Sequence, residues 1–182
     1  MTTTTAYETD LRYPVGKFEW DSDVSEAEYP RLIAEIDATP AALRSAVAGL
    51  SREQLETQYR PGGWTVRQVI HHLPDSHLNA YTRFKLALTE NEPTIKPYDE
   101  AAWAELPDSR KVPPDVSLDL LESLHVRWVT LLRSLDAADF RRTLKHPERE
   151  RVLTLGQLLA LYAWHGRHHV GHILALRKRE GW

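Results

Sequence analysis

The sequence predicts an all-α protein, a four-helix bundle whose helices are joined by long irregular connections. Four long segments repeat apolar residues every three to four positions, which is the spacing of one face of a helix. A chain of 182 residues suits a single domain with a substantial core. No alternating pattern is strong enough to predict a sheet, and no internal repeat is present.

The first part of the chain predicts an arm and a helix within one domain over residues 1–182. Residues 1–23 are expected to form an N-terminal arm. Helix 1 is expected over residues 24–50, with Pro40 kinking or breaking it. Ser51 and Gln54 have the form of a capping box that opens a short helical turn. The apolar residues of helix 1 are Leu32, Ile33, Ile36, Leu43, Val47 and Leu50.

Helix 2 is predicted from an N-cap at Thr65, with Gln68 three residues later, to about residue 90. Its apolar stripe includes His77. A polar row borders this stripe, as expected of a site inside a bundle or of a solvated shoulder. The row consists of His72, Ser76, Asn79 and Arg83.

The second half predicts two more long helices. Residues 92–114 form a proline-rich connection with a short helix over 99–106, and helix 3 follows from 116 or 117 to 135. Residues 142–153 predict an irregular excursion or a small hairpin. Helix 4 starts at the N-cap Thr154, with Gln157 completing a capping box, and runs to about residue 180.

Composition excludes several functions. The net charge is −3 and no block of Lys or Arg stands out, so no nucleic-acid partner is expected. Without cysteine the chain has no disulfide, no zinc thiolate site and no Cys nucleophile. We found neither an apolar signal segment nor a run of transmembrane length, so a cytoplasmic location without a membrane partner is expected.

Helix 4 carries four of the nine histidines. His165 and His169 are four residues apart, so on a helix their imidazoles can reach one metal ion. The pair lacks the Glu of the H-E-x-x-H motif. His172 lies at the edge of the same stripe, His168 points farther away, and Gly166 suggests a close approach by a helix or ligand.

A metal site needs a third ligand from another helix. The helical pattern leaves this choice open, because it slightly favours His77 while His72 borders the core and heads the polar row. The candidates are His71, His72, His77 and His125.

Two motifs identify a family resemblance. The run from Arg60 to His77 resembles the motif that opens helix 2 in the YfiT-type proteins of the DinB superfamily. The pattern Trp164-His165-x-x-x-His169-x-x-His172 resembles their final-helix motif. The match extends over nearly the whole chain, from Tyr13 to the terminal Gly-Trp. One departure is Pro74, where similar proteins carry a small residue and where we expect a kink beside the site.

The resemblance implies a four-helix bundle, a homodimer and one divalent metal ion per subunit. Carried over by position, it assigns His72, His165 and His169 as the ligands. Members of the family are described as metal-dependent hydrolases. Related proteins are transferases or isomerases that use bacillithiol, mycothiol or glutathione.

Three neutral imidazoles leave a divalent ion its full charge and an open position. Such a site lowers the pKa of bound water to about 7 and would also activate a thiol. We therefore expect a metal-dependent hydrolase of a small molecule, with zinc or nickel as the metal. One alternative is a bacillithiol-type S-transferase that uses a low-molecular-weight thiol cosubstrate. The other is a non-catalytic bundle around a structural ion.

The remaining candidates have supporting roles. Asp75 is expected either to orient a ligand imidazole or to be an exposed carboxylate, and His172 to be a base, a ligand-supporting group or a structural histidine. Asn79 and Arg83 are candidates for binding an anionic substrate, with a surface salt bridge as the alternative for Arg83. Structural or solvent-facing positions are expected for His77, His125, His146 and His168.

Overall fold

A computed structural model describes residues 10–20 and 24–182 and confirms the four-helix bundle. Residues 1–9 and 21–23 of the expected arm lie outside the described residues. In chain order the elements are α1 (Tyr29–Val47), α2 (Arg52–Leu55), α3 (Val66–Thr89), α4 (Glu100–Trp103), α5 (Pro107–Lys111), α6 (Pro114–Arg133), α7 (Ala137–Phe140), β1 (Thr143–His146), β2 (Arg151–Thr154) and α8 (Leu155–Glu180). The bundle consists of α1, α3, α6 and α8.

Local capping sets the starts of the two helices that matter most. Thr65 and Thr154 each accept a hydrogen bond from the backbone N–H of Gln68 and Gln157, and these glutamines bond back to the caps. Both predicted starts are therefore confirmed. Helix α3 runs without a break through the buried Pro74, as α1 does through Pro40.

Some boundaries differ from the sequence predictions. Helix α1 is shorter than the expected 24–50. The short helix expected over 99–106 is replaced by α4 and α5. Residues 142–153 contain a hairpin of β1 and β2, whose turn places Glu150 in the left-handed region with φ 47°. The backbone N–H of Ile95 donates to the Lys145 carbonyl and that of Lys145 donates to the Pro93 carbonyl, so the preceding connection is attached to β1.

The long helices are not packed in chain order. Helix α1 packs on α6 and α8, and α3 packs on the same two helices. Consecutive long helices, α1 with α3 and α6 with α8, therefore lie diagonally across the bundle. The connections from α1 to α3 and from α6 to α8 must therefore cross an end of the bundle, whereas α3 and α6 are adjacent and the connection between them carries α4 and α5.

Two apolar clusters make up the core, and polar side chains lie between them. One cluster surrounds Trp128 and Phe84, and the other surrounds Leu121 and Ile70. On α8, the segment between Ala163 of the first cluster and Val170 of the second contains the histidine pair. Buried polar groups require partners, so the hydrogen bonds of this layer identify the candidate site.

Within the described residues, no helix is long and apolar enough to cross a membrane.

Candidate metal centre

Helices α3 and α8 bring three histidines together. His72 from α3 faces His165 and His169 from α8, and one ring nitrogen from each lies within 4.8 Å of the others. The Nε2 atoms of His72 and His165 are 3.3 Å apart. These are the three residues that the family resemblance assigned as ligands.

The spacing of these nitrogens fits a metal ion. Zinc–imidazole bonds of 2.0–2.1 Å in a tetrahedral arrangement place two ligand nitrogens about 3.3 Å apart. The separation between His72 and His165 equals that edge. His169 contributes the third nitrogen from one helical turn beyond His165.

The three imidazoles are in the form that binds metal. Burial lowers the pKa of His72 to about 3. Burial, and then the neighbouring histidines, lower the pKa of His165 and of His169 well below the usual range. All three rings are neutral near pH 7, so no proton has to be displaced before an ion binds.

A hydrogen-bonded chain fixes the tautomer of His165. The backbone carbonyl of Ile36 only accepts, so Nδ1 of His125 donates to it, at 2.8 Å. Burial lowers the pKa of His125 to about 4, so the ring is neutral and its Nε2 accepts from Nδ1 of His77, at 2.7 Å. Nε2 of His77 then accepts from Nδ1 of His165, at 3.2 Å.

This chain leaves the lone pair of His165 Nε2 facing His72. It also explains the role of His77, which the helical pattern slightly favoured as a ligand. His77 lies one step behind the three candidate ligands and orients the ring of His165, as carboxylates and carbonyls do in known metal sites. His71 is turned elsewhere, since its Nδ1 bonds to Ser117 Oγ at 2.7 Å.

Trp64 forms a wall beside the ligands. Its ring lies 4.6 Å from that of His72 and stacks at 6.2 Å on that of His169. Nδ1 of His169 is buried and has no hydrogen-bond partner in the described part of the chain. That unpaired nitrogen is consistent with a ring whose partner is a bound group rather than another side chain.

A cavity of about 580 Å³ opens beside the three histidines, a size that suits a small molecule. Residues 10–20 pack over α8 and contribute to one wall, because Trp164 Nε1 donates to the Gly16 carbonyl and Pro14 and Val15 pack against Gly171. The Phe, Tyr and Trp side chains that line the cavity are Tyr13, Phe18, Trp20, Tyr59, Trp64, Tyr98, Tyr162 and Trp164.

His168 and His172 occupy a different face of α8. His172 Nε2 donates to the Arg12 carbonyl at 3.1 Å, and its ring stacks on Tyr59 at 3.9 Å. His168 stacks on Trp164 at 4.3 Å. Burial lowers the pKa of both histidines to about 4. His172 therefore holds the N-terminal segment in place, although its Nδ1 still lies in the cavity wall.

Comparison with known proteins shows the family to which the chain belongs. A sequence profile described as "DinB superfamily" matches residues 35–173, about three quarters of the chain. The chain belongs to the DinB superfamily. Relatives from Bacillus cereus and Bacillus anthracis, each named "Putative metal-dependent hydrolase", are 56% identical over 173 residues, covering 95% of this chain and 99% of each relative.

A solved structure supports the same placement within the DinB superfamily. It is described as "YfiT from Bacillus subtilis is a probable metal-dependent hydrolase with an unusual four-helix bundle topology". Its sequence is 48% identical, the TM-score is 0.91, and the match covers 94% of this chain and 98% of that one. In the present chain, itself a DinB protein, α1 and α3 lie diagonally across the bundle, as do α6 and α8.

Two of the other candidate residues lie away from the cavity of this DinB protein. Burial and then the charge of Asp108 raise the pKa of Asp75 to about 6. Asp108 belongs to α5, and no hydrogen bond joins Asp75 to His72 among the described residues. The Asn79 amide donates to the Asp75 carbonyl at 2.9 Å, and Asn79 does not line the cavity.

Arg83 does line the cavity and is buried rather than on the surface. Sequence reasoning missed its neighbours Tyr98 and Tyr162, and also the aromatic contribution of residues 10–20. The signal that the sequence offers is its six Trp and seven Tyr residues, since such a number indicates aromatic packing at a pocket or interface. Composition does not say which rings meet.

Proposed function

We propose that this DinB protein is a metal-dependent hydrolase of a small molecule. One divalent ion per subunit, zinc or nickel, would be held by His72, His165 and His169. The single observation that carries the proposal is the group of three neutral imidazoles beside an aromatic cavity. A structural ion would have four protein ligands, whereas here three histidines converge.

The bound ion would supply Lewis-acid chemistry that activates water near neutral pH. The side chains of the chain contribute positioning. The chain of His77 and His125 fixes the ring of His165, and Trp64 packs against the other two ligand rings. His172 keeps its proton on Nε2 for the Arg12 carbonyl, so its one remaining acceptor is Nδ1, which is buried and has no partner among the described residues.

Thiol transfer remains the second candidate, because a metal site of this kind activates a thiol as well as water. The chain contains no cysteine, so the thiol would be a low-molecular-weight cosubstrate such as bacillithiol. The names of the relatives support hydrolysis as the first choice. The family resemblance also supports a homodimer, and the absence of cysteine is compatible with a cytoplasmic location.

One experiment separates these functions. Protein loaded with zinc or nickel is incubated with ester and amide probes, and separately with monochlorobimane and a panel of low-molecular-weight thiols. Hydrolysis that needs the metal but no thiol supports the proposal. Conjugation that requires one particular thiol supports transfer, and neither activity combined with a fourth protein ligand supports a structural ion. Protein with His165→Ala is the control for metal dependence.

A further inference from the structure

Arg83 is a buried cation with an incomplete set of partners. Its side chain comes from α3 into the cavity, and the residue is 9% exposed. Nη1 donates to Tyr162 Oη at 3.3 Å. Nε is buried and bonds to nothing within residues 10–20 and 24–182. A buried charge is costly unless it is paired, so this arrangement indicates an anion that binds from outside the chain.

The groups around Arg83 are donors as well. Tyr98 Oη is buried in the same cavity wall and lacks a hydrogen-bond partner in the described structure, although the Ser76 hydroxyl lies beside it. Burial raises the pKa of Tyr98 and of Tyr162, so both phenols keep their protons. The unused Nε–H of Arg83 and the unpartnered hydroxyl of Tyr98 thus lie in one cavity wall beside Tyr162, and the neutral Ser76 hydroxyl near both phenols cannot balance the buried charge.

Glu100 is a carboxylate of the chain itself that lies near these donors and would disfavour a bound anion. Its charge raises the pKa of both phenols, so it lies near the same end of the cavity, but its side chain is exposed at the rim. Glu148 also lines the cavity. The charge of Glu100 at this end of the cavity disfavours a dianionic phosphate and favours a single carboxylate, whose two oxygens match the fork of a guanidinium.

The donors lie in the same cavity as the metal ligands. Arg83 is eleven residues beyond His72 on α3, about 16 Å along the axis, and helical side chains lean back toward the N-terminus. Tyr162 is one turn before His165 on α8, and their ring centroids are 5.6 Å apart. A molecule that reaches both ends would therefore separate its anion from the reacting bond by roughly 5–10 Å.

We propose that Arg83, together with the hydroxyls of Tyr98 and Tyr162, binds the carboxylate of the substrate. The substrate class is then a small molecule with one carboxylate, an apolar body that packs on the aromatic wall, and the reacting bond at the metal end. The position of that bond rests on the proposed function. The carboxylate subsite itself does not, because it is carried by the burial and unused donors of Arg83 and Tyr98.

Binding to the metal-loaded protein tests the subsite directly. The probes are benzoate, phenylacetate, 3-phenylpropionate and 4-phenylbutyrate, each beside its neutral amide, with titration calorimetry as the measurement. Wild-type protein is expected to prefer the acid over the amide for at least one length. Arg83→Gln should weaken binding of that acid about 10- to 100-fold and leave the amide unchanged. Tyr98→Phe should weaken it several-fold.

Arg127→Gln is the matched control, because it removes the same charge from an exposed position on α6. Its affinity for the acid should equal that of wild type. Three results would overturn the subsite: no preference of wild type for any acid, an acid preference that survives Arg83→Gln because the carboxylate binds the ion, and a loss that follows Arg60→Gln instead. Tighter binding of phenyl phosphate than of every carboxylate would also overturn it.

Two further measurements keep the outcomes separate. Unfolding curves for Arg83→Gln and Tyr98→Phe establish that the variants fold. If Arg83→Gln does not fold, the affinity of Tyr98→Phe for the acid alone tests the subsite. Hydrolysis of phenyl acetate and of monophenyl glutarate is then compared. Selective acid binding through Arg83 without any hydrolysis would leave the subsite standing and remove the proposed function. Hydrolysis that ignores both the carboxylate and Arg83 would do the reverse.

Discussion

Helix α8 carries two histidine pairs with the same spacing and different surroundings. His165 and His169 face α3, where His72 supplies a third ring nitrogen. His168 and His172 face residues 10–20, where a backbone carbonyl and aromatic rings meet them. The four-residue spacing allows either pair to bind an ion, so the neighbouring elements determine the difference.

The hydrogen bonds of each pair show what separates them. The Nε2 proton of His172 is committed to the Arg12 carbonyl, which no ion can replace. For His165 the committed proton is the one on Nδ1, so Nε2 faces His72 as a free donor of electrons. The pair of His168 and His172 therefore holds a chain segment, whereas the pair of His165 and His169 is directed toward His72.

The strongest test of this difference uses two adjacent residues. His169→Ala leaves two ligands, and we expect metal affinity to fall by more than about 100-fold, so that the protein no longer retains an ion through gel filtration. His168→Ala removes the imidazole of the preceding residue, and this variant should retain the metal stoichiometry of the wild type. Metal analysis of both variants measures this, and unchanged stoichiometry in His169→Ala would show that the site is assigned wrongly.

A smaller loss of metal affinity is expected when His125, which supports His165 through His77, is replaced. His125→Leu removes the acceptor of His77, so His77 no longer has to present Nε2 to His165, and the tautomer of His165 is no longer fixed. Metal affinity should fall about 10- to 100-fold while stoichiometry at saturation is kept. Competition with a chelator, followed through the visible spectrum of the cobalt form, provides the measurement.

His172→Phe is the matched control for that experiment. It too removes a buried histidine that bonds to a backbone carbonyl, but on the other face of α8. Its metal affinity should stay within about threefold of wild type. Equal losses in His125→Leu and His172→Phe would mean that general loosening of the bundle, rather than orientation of His165, explains the effect.

Local signals in the sequence predicted the parts of the fold that local physics determines. Thr65 and Thr154 were predicted as helix starts because a capping box lies within four residues. The placement of His165 and His169 on one face of a helix was also predicted from a local signal, their four-residue spacing. The choice between His72 and His77 was not, because a helical pattern gives the direction of a side chain and not the group it meets across the bundle.

Contacts between residues that are far apart in the chain could not be predicted from the sequence. Trp164 bonds to Gly16, and His172 bonds to Arg12, across about 150 residues of chain. No periodicity records such a contact. The burial of Arg83 was not predicted for a related reason, since a polar residue at the edge of a stripe is buried only if loops cover it. Here the connection containing Tyr98 lies over it.

Two of the three glycines of α8, Gly166 and Gly171, extend the comparison to packing. A Cβ at Gly166 would lie 2.5 Å from Oγ1 and 2.8 Å from Cγ2 of Thr39, a buried side chain of α1 that is held by its bond to the Glu35 carbonyl. At Gly171 the nearest atoms, in Pro14 and Val15, are 3.0 Å or more away. The expected close approach at Gly166 is thus made by a helix.

We expect Gly166→Ala to destabilise the protein by about 1–2 kcal/mol, because overpacking exceeds the gain in helix propensity. Gly171→Ala should lie between neutral and about 1 kcal/mol more stable, since the N-terminal segment can move by a few tenths of an ångström. Urea unfolding of the two variants measures both. A stable Gly166→Ala would show that α1 and α8 can separate at no cost beside the ligands.

The last expected effect is the pH dependence that His172 gives to the stability of the fold. Its pKa is about 4 in the folded protein, whereas an unfolded histidine titrates near 6.5. Between these values the unfolded chain binds a proton that the folded chain does not, so stability is full above pH 6.5 and falls as the pH drops toward 4.

Replacing His172 with Phe should therefore reduce the slope of stability against pH by up to about one proton, roughly 1.4 kcal/mol per pH unit, within that window and not above it. Urea unfolding at a series of pH values gives the slope. Because His172 is not a ligand, the reduction should be the same with and without added metal. A reduction that vanishes when metal is present would place His172 among the groups that bind the ion, and the two histidine pairs of α8 would then serve one site.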